Sequence, residues 1–270
     1  MRLTLGFSPC PNDTFLFDAL VHGRVRDPDL DFDVVLDDVE ALNKRALAGE
    51  LDLTKLSYAA LPAVLDRYAL LRSGSALGRG VGPLLVATEA LGPENWASLR
   101  VAIPGEFTTA NFLLGWAFPE IVHKTPMLFS NIEAAVLSRQ VDAGLLIHEN
   151  RFTYAARGLH KLADLGEVWE SRNGLPIPLG GIVARRQLGS ALIHRVDALL
   201  RASVEHAFAH PDHSRAYVQA HAQEMEPAVQ QAHIQLYVNA YTVDLGQDGE
   251  AAVRELLRVH GAADQALFAD

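Results

Sequence analysis

Leu5-Gly6-Phe7-Ser8-Pro9-Cys10-Pro11-Asn12-Asp13-Thr14-Phe15 is the stretch from which the fold is read. Arg2 to Phe7 alternates polar and apolar residues, the pattern of a half-buried strand. Pro9 and Pro11 cannot continue it, because each lacks a backbone donor and has a fixed φ. Asn12 and Asp13 suit the N-cap of a helix that runs to about His22 and stops at Gly23. A rigid strand-to-helix turn is therefore predicted, with its amides at the carboxyl end of the strand. Open α/β sheets bind ligands there.

Working outward, the same unit recurs. Leu30 to Leu36 reads as a strand and Asp38 to Ala48 as a helix stopped by Gly49. Leu51 to Ser57 is a short strand, Tyr58 to Asp66 a helix, and Tyr68 to Ser73 another strand. Strands alternating with helices predict βαβ units and a mostly parallel sheet. Gly74, Gly78, Gly80 and Gly82 then interrupt the pattern before the apolar strand Leu84 to Thr88. Leu99 to Gly105 opens a second α/β series, with Thr108 and Thr109 before a helix over Asn111 to Phe118. Ala143 to Ile147 is a buried-type strand that delivers His148. Pro178 to Arg186 is a Gly-led return strand, and from Ser190 onward the pattern is helical. The expected division is a first lobe of residues 1–85 and 183–270 and a second of residues 86–182.

At 270 residues the chain can bury a sizeable core as one large domain or two small ones. A formal net charge of −10 disfavours nucleic-acid and anionic-membrane partners, which reward basic patches. It leaves room for a small anionic ligand held by local donors. With Cys10 the one cysteine, no intramolecular disulfide can form. The N-terminus has no tripartite leader pattern, and no apolar run approaches the ~18 residues of a membrane span. A cytoplasmic protein is expected.

Several residue groups could carry chemistry. His148, at a strand's carboxyl end, is placed to act as a general base, with an ordinary pKa near ~6.5. Thr108 and Thr109 offer hydroxyls and amides at a helix start, which suits a carboxylate or simply caps the helix. Lys55, Leu56 and Ser57 present the same logic in the other lobe. Asn12, Asp13 and Asn43 are weaker pocket candidates, equally suited to capping and turns. Cys10 sits in the turn with no base beside it in sequence. His206 and His210 are spaced i, i+4 but lack the adjacent Glu of a zincin, and read as a solvated helix face. No metal-ligand spacing, Walker lysine or dinucleotide fingerprint is present, so nucleotide and redox cofactors are not indicated.

The literal string Ser8-Pro9-Cys10-Pro11-Asn12-Asp13-Thr14-Phe15 resembles the N-terminal signature of the 1,4-dihydroxy-6-naphthoate synthase family, enzymes of menaquinone biosynthesis. Lys55-Leu56-Ser57-Tyr58-Ala59-Ala60 resembles a second family segment. The likeness continues through Gly78 to Pro83, Thr108-Thr109-Ala110, Gly144 to Glu149, Arg151 to Tyr154, Gly174-Leu175-Pro176 and Tyr237 to Ala240. It thus runs in order along nearly the whole chain. The resemblance implies a type II periplasmic-binding-protein-like fold, α/β and two-lobed, with a discontinuous first lobe and an interlobe cleft. It implies a lyase that converts cyclic dehypoxanthine futalosine to 1,4-dihydroxy-6-naphthoate without a cofactor. The family's proposed base falls at His148, and the Lys55–Ser57 and Thr108–Thr109 segments would bind a carboxylate-bearing substrate. Two other readings share the fold: a non-catalytic solute-binding protein for an aromatic or dicarboxylic acid, and a sister enzyme such as chorismate dehydratase.

Overall fold

In a computed structural model of the chain, which describes residues 1–223, 226–263 and 265–269, β1 (Arg2–Phe7) runs through the proline turn into α1 (Pro11–Val21). The helix starts earlier than its sequence suggests. Cys10, with φ −67° and ψ 152°, is the N-cap and Pro11 is the first helical residue, so neither Asn12 nor Asp13 caps it. Proline at that position forfeits only an amide that has no partner inside the helix. The Asn12 and Asp13 side chains are thereby left for other contacts.

Next come β2 (Asp31–Leu36) and α2 (Val39–Ala48), the latter capped by Asp38 and closed by Gly49 at φ +69°. β3 (Leu53–Ser57) enters a 3₁₀ turn over Tyr58–Ala63, not the α-helix expected to Asp66. Pro62, inside that segment, cannot donate to an α-helical ladder. β4 (Tyr68–Leu70) and β5 (Ala76–Gly78) follow.

The middle of the chain carries β6 (Leu84–Ala87), β7 (Arg100–Ile103), α3 (Thr109–Ala117), β8 (His123–Pro126) and α4 (Phe129–Leu137). It continues with β9 (Ala143–Leu146), α5 (Asn150–Thr153), β10 (His160–Asp164) and α6 (Leu165–Asn173). The chain returns through β11 (Ile177–Arg185) to α7 (Ser190–Ala209), α8 (Arg215–His221), α9 (Pro227–Tyr237), α10 (Ala240–Val243) and α11 (Gly246–His260).

Two units result: Met1–Gly78 with Pro178–Asp270, and Arg79–Ile177. Both seams lie a few residues before the positions 85 and 182 expected from sequence. The Gly-rich stretch explains the first offset: β5 pairs with β11, whereas β6 already pairs with β9 and β10.

In the first unit the strand order is β2-β1-β3-β11-β4. β2, β1 and β3 are parallel; β11 lies antiparallel between β3 and β4, so the sheet is mixed. Leu3, Leu5 and Phe7 project to one face of β1 and pack on Leu16 and Phe17 of α1 and on Val196 and Leu200 of α7. The Phe7 and Phe17 rings stack at 4.3 Å.

The second unit has the order β10-β6-β9-β7-β8. β7 is parallel to β8 and β9, and β6 is antiparallel to both β9 and β10. The carboxyl ends of β7, β9 and β10 therefore share one edge with the amino end of β6. Leu84, Val86 and Leu146 form its core with Ile132 and Val136 of α4.

Candidate functional site

In the first unit the parallel strands place their carboxyl ends together, and a buried polar network collects there. Asp13 Oδ2 accepts from the Ser8 amide at 3.2 Å and the Ser8 hydroxyl at 2.7 Å. Its Oδ1 accepts from Asn12 Nδ2 at 2.8 Å and from Lys55 Nζ at 2.8 Å. The Asp13 and Lys55 side chains are 2% and 6% exposed. A carboxylate so deeply placed is tolerable only because a cation and three further donors satisfy it. Lys55 Nζ also donates to the Gly74 carbonyl at 3.3 Å, which leaves its third N–H without an acceptor among the described residues.

Lys55 and Ser57 share one face of β3, with fully buried Leu56 on the other. Asn43, from α2, clamps Ser57: its Oδ1 accepts from the Ser57 amide at 2.8 Å and its Nδ2 donates to Ser57 Oγ at 3.1 Å. The Ser57 O–H itself has no acceptor among the described residues. Tyr58 shares a 2.7 Å hydrogen bond with Ser75. Burial raises the Tyr58 phenol above its ordinary pKa, and the Ser75 bond opposes this only in part, so it stays neutral.

His233, wholly buried on α9, places Nε2 2.9 Å from Asn12 Oδ1. Since the Asn12 amide group donates to Asp13, its oxygen is the acceptor and His233 carries a proton on Nε2. A continuous chain therefore runs His233–Asn12–Asp13–Lys55.

In the second unit three strand ends meet at one edge of the sheet. After β7, Thr108 caps α3, accepting from the Asn111 amide at 3.2 Å and donating to the Gly105 carbonyl at 2.9 Å. Its hydroxyl proton is thus spent within the turn. Thr109, also buried, is the first residue of α3. Lys124 reaches Asn111 Oδ1 at 3.0 Å, and burial lowers its pKa.

After β9, His148 adopts φ +57°, in the left-handed region. Among residues with a side chain, His is one of the more tolerant there, yet the conformation still costs on the order of 1 kcal/mol. The surroundings hold it. Phe129 presents its ring edge-on to the imidazole, 4.9 Å between centroids. Asn150 Nδ2 donates to Glu133 Oε2 at 3.1 Å, and Arg157 pairs with Glu133 Oε1 at 3.1 Å. Arg151 bonds Asp164 Oδ2 at 2.6 Å and also donates to the Gly82 carbonyl. Asp164 in turn caps α6 through Gly166 at 2.8 Å and Glu167 at 3.3 Å. At Gly82 the backbones touch: a Cβ there would sit 2.1 Å from the Gly166 nitrogen. The turn carrying His148 is therefore pinned to α4 on one side and to β10 on the other.

Of the residues read from sequence, Asn12, Asp13 and Lys55 meet in one network, and Asn43 meets Ser57 in a second. Thr108 and His148 lie at one edge of the second sheet. Ser8, His233 and the Arg151–Asp164 pair escaped the sequence reading. Ser8 alone had a local signal, its place opening the proline turn. His233 sits in an amphipathic helix whose spacing says only that one face is buried.

The family described as menaquinone biosynthesis matches residues 3–262. The chain belongs to that family. As a family member it is 54% identical over 254 residues to a curated 1,4-dihydroxy-6-naphthoate synthase of Thermus thermophilus, covering 94% of this chain and 92% of that protein. It is 52% identical over 260 residues to one of Streptomyces coelicolor, covering 94% and 91%. It is thus an enzyme of menaquinone biosynthesis. A solved structure of an Archaeoglobus fulgidus protein is similar at 33% identity and TM-score 0.91, covering 97% of each chain. More distant is an alkanesulfonate-binding protein of Xanthomonas axonopodis, at 15% identity and TM-score 0.69, covering 98% and 96%. A Candida albicans protein with the generic periplasmic binding protein fold matches at 14% and 0.69, covering 97% and 90%. These last two bear on fold alone, and the family member has the expected periplasmic-binding-protein-like fold. Among the described residues, no helix is long and apolar enough to cross a membrane.

Proposed function

We propose that this chain is a 1,4-dihydroxy-6-naphthoate synthase, a carbon–carbon lyase acting on cyclic dehypoxanthine futalosine, with His148 as general base. The observation that carries the base assignment is the left-handed backbone of His148 at the carboxyl end of β9. A strained residue persists only where its surroundings over-determine it, and such residues cluster at functional sites. The imidazole takes a proton from the substrate. The electron pair released completes the aromatic ring, and the bond to the sugar-derived fragment breaks. The imidazolium then returns its proton to that leaving fragment, so base and charge are restored.

Lys55 and Ser57 are assigned to the substrate's anionic group. Each has a donor without a protein acceptor among the described residues, and Asp13 and Asn43 hold the two side chains in place. Thr108 and Thr109 contribute the start of α3, where amides favour an anion. The anionic character of the substrate and a cytoplasmic location belong to this same reading.

The test is to incubate the purified protein with cyclic dehypoxanthine futalosine and follow the naphthoate by mass. Formation of the naphthoate by wild type, lost in His148→Asn, is the expected result. Tight binding of the substrate with no turnover would replace this reading with that of a solute-binding protein.

A further inference from the structure

The end of α7 gathers three histidines. His206 and His210 lie one turn apart, and Pro211 then stops the helix and starts the 3₁₀ turn Pro211–Ser214. That turn carries His213 back over the helix end. Backbone hydrogen bonds from His210 to His206 at 2.9 Å and from His213 to His210 at 3.0 Å fix the three positions. His206 Nε2 lies 3.1 Å from His213 Nδ1. The His210 ring is 4.7 Å from that of His206 and 4.9 Å from that of His213, centroid to centroid. From sequence, His206 and His210 read as a solvated helix face; the 3₁₀ turn adds the third imidazole, which their spacing could not show.

We propose that His206, His210 and His213 form a binding site for a first-row divalent metal ion of the zinc type. Two imidazole nitrogens bound to one tetrahedral Zn²⁺ at about 2.0–2.1 Å lie about 3.3–3.4 Å apart. The His206–His213 separation already approaches that value. His210 is exposed, and its ring must turn about its side-chain bonds to present the third ligand nitrogen. Water fills the fourth position. In the present arrangement one of the two facing nitrogens carries a proton. On binding, that proton moves to the other nitrogen of the same ring, so three neutral imidazoles donate lone pairs and the ion gains three bonds for one hydrogen bond lost.

The surroundings agree with this use. Asp18 is engaged by Arg24 and His22, and Asp212 by Arg215, so the imidazoles are the donors left for an ion.

The experiment is calorimetric titration of Zn²⁺ into chelator-treated protein at neutral pH, with heat-unfolding midpoints measured in parallel. One equivalent is expected to bind and to raise the midpoint. Replacing even an outer partner of a metal ligand typically weakens binding about 10–100-fold. His206→Ala and His213→Ala should therefore each lower the affinity at least about tenfold and abolish the midpoint shift. His194→Ala, also on α7, should change neither. Absence of one-to-one binding in wild type, or binding that survives His206→Ala combined with His213→Ala, overturns the proposal.

Discussion

Lys55→Met removes the cation from a carboxylate that has almost no access to water. At 2.8 Å and an effective dielectric constant of about 20, the Asp13–Lys55 attraction is roughly 6 kcal/mol before desolvation is subtracted. Breaking such a pair from one side typically costs about 3–5 kcal/mol, because the remaining charge stays buried and unpaired. Asp13 would keep the Ser8 amide, the Ser8 hydroxyl and Asn12 Nδ2, which places the loss near ~3 kcal/mol. Asp13→Asn leaves Lys55 with the Gly74 carbonyl and an amide oxygen, and belongs nearer the upper figure. The double variant has neither charge. It should therefore be more stable than the sum of the two losses predicts, by at least about 2 kcal/mol. Urea unfolding followed by circular dichroism, at a pH where wild type and all three variants fold, measures the cycle. Losses that add to within about 0.5 kcal/mol would refute the pairing as the source of stability.

His148→Asn keeps a side chain that tolerates a left-handed backbone but cannot take a proton at neutral pH; kcat should fall about 10²–10⁴-fold with much less change in KM, and single-turnover kinetics read the split. Ser57→Ala should raise KM roughly tenfold or more, since a donor to a charged group is worth ~1.5–3 kcal/mol. Thr108→Ala should instead lower stability by about 1 kcal/mol, because that hydroxyl already caps α3; a large KM effect without destabilisation would contradict this. Gly82→Ala should destabilise the second unit by more than about 2 kcal/mol, since the added carbon meets backbone and not a movable side chain. A melting temperature equal to wild type would rule out that close approach.

Local chemistry made the first βα units legible. Asp38 and Gly49 bracket α2, and Thr108 precedes α3, because caps act within three residues of themselves. The same rule misplaced the start of α1. Asn12 and Asp13 looked like caps, but Pro11 is acceptable one position inside the helix, and the two polar side chains went to Ser8, Lys55 and His233. Lys55 and His233 are far away in sequence, so no window around residue 12 contains them. The antiparallel course of β11 is likewise a property of pairing, and its apolar run reads the same in either direction. For His148 the position at a strand end was readable, whereas its positive φ is imposed by α4 and β10 packing around the turn.

The late arrival of β11 has a consequence for biogenesis. It lies between β3 and β4, yet the ribosome makes it only after all of Arg79–Ile177. The middle segment is continuous and can close its own sheet as soon as it emerges. The N-terminal segment must wait meanwhile with β3 and β4 unjoined and their edges exposed. Order of synthesis thus sets a window of aggregation risk that ends when β11 is inserted. Slowing translation within residues 79–177 should lengthen that window and lower the yield of folded protein, without changing a single contact in the finished structure.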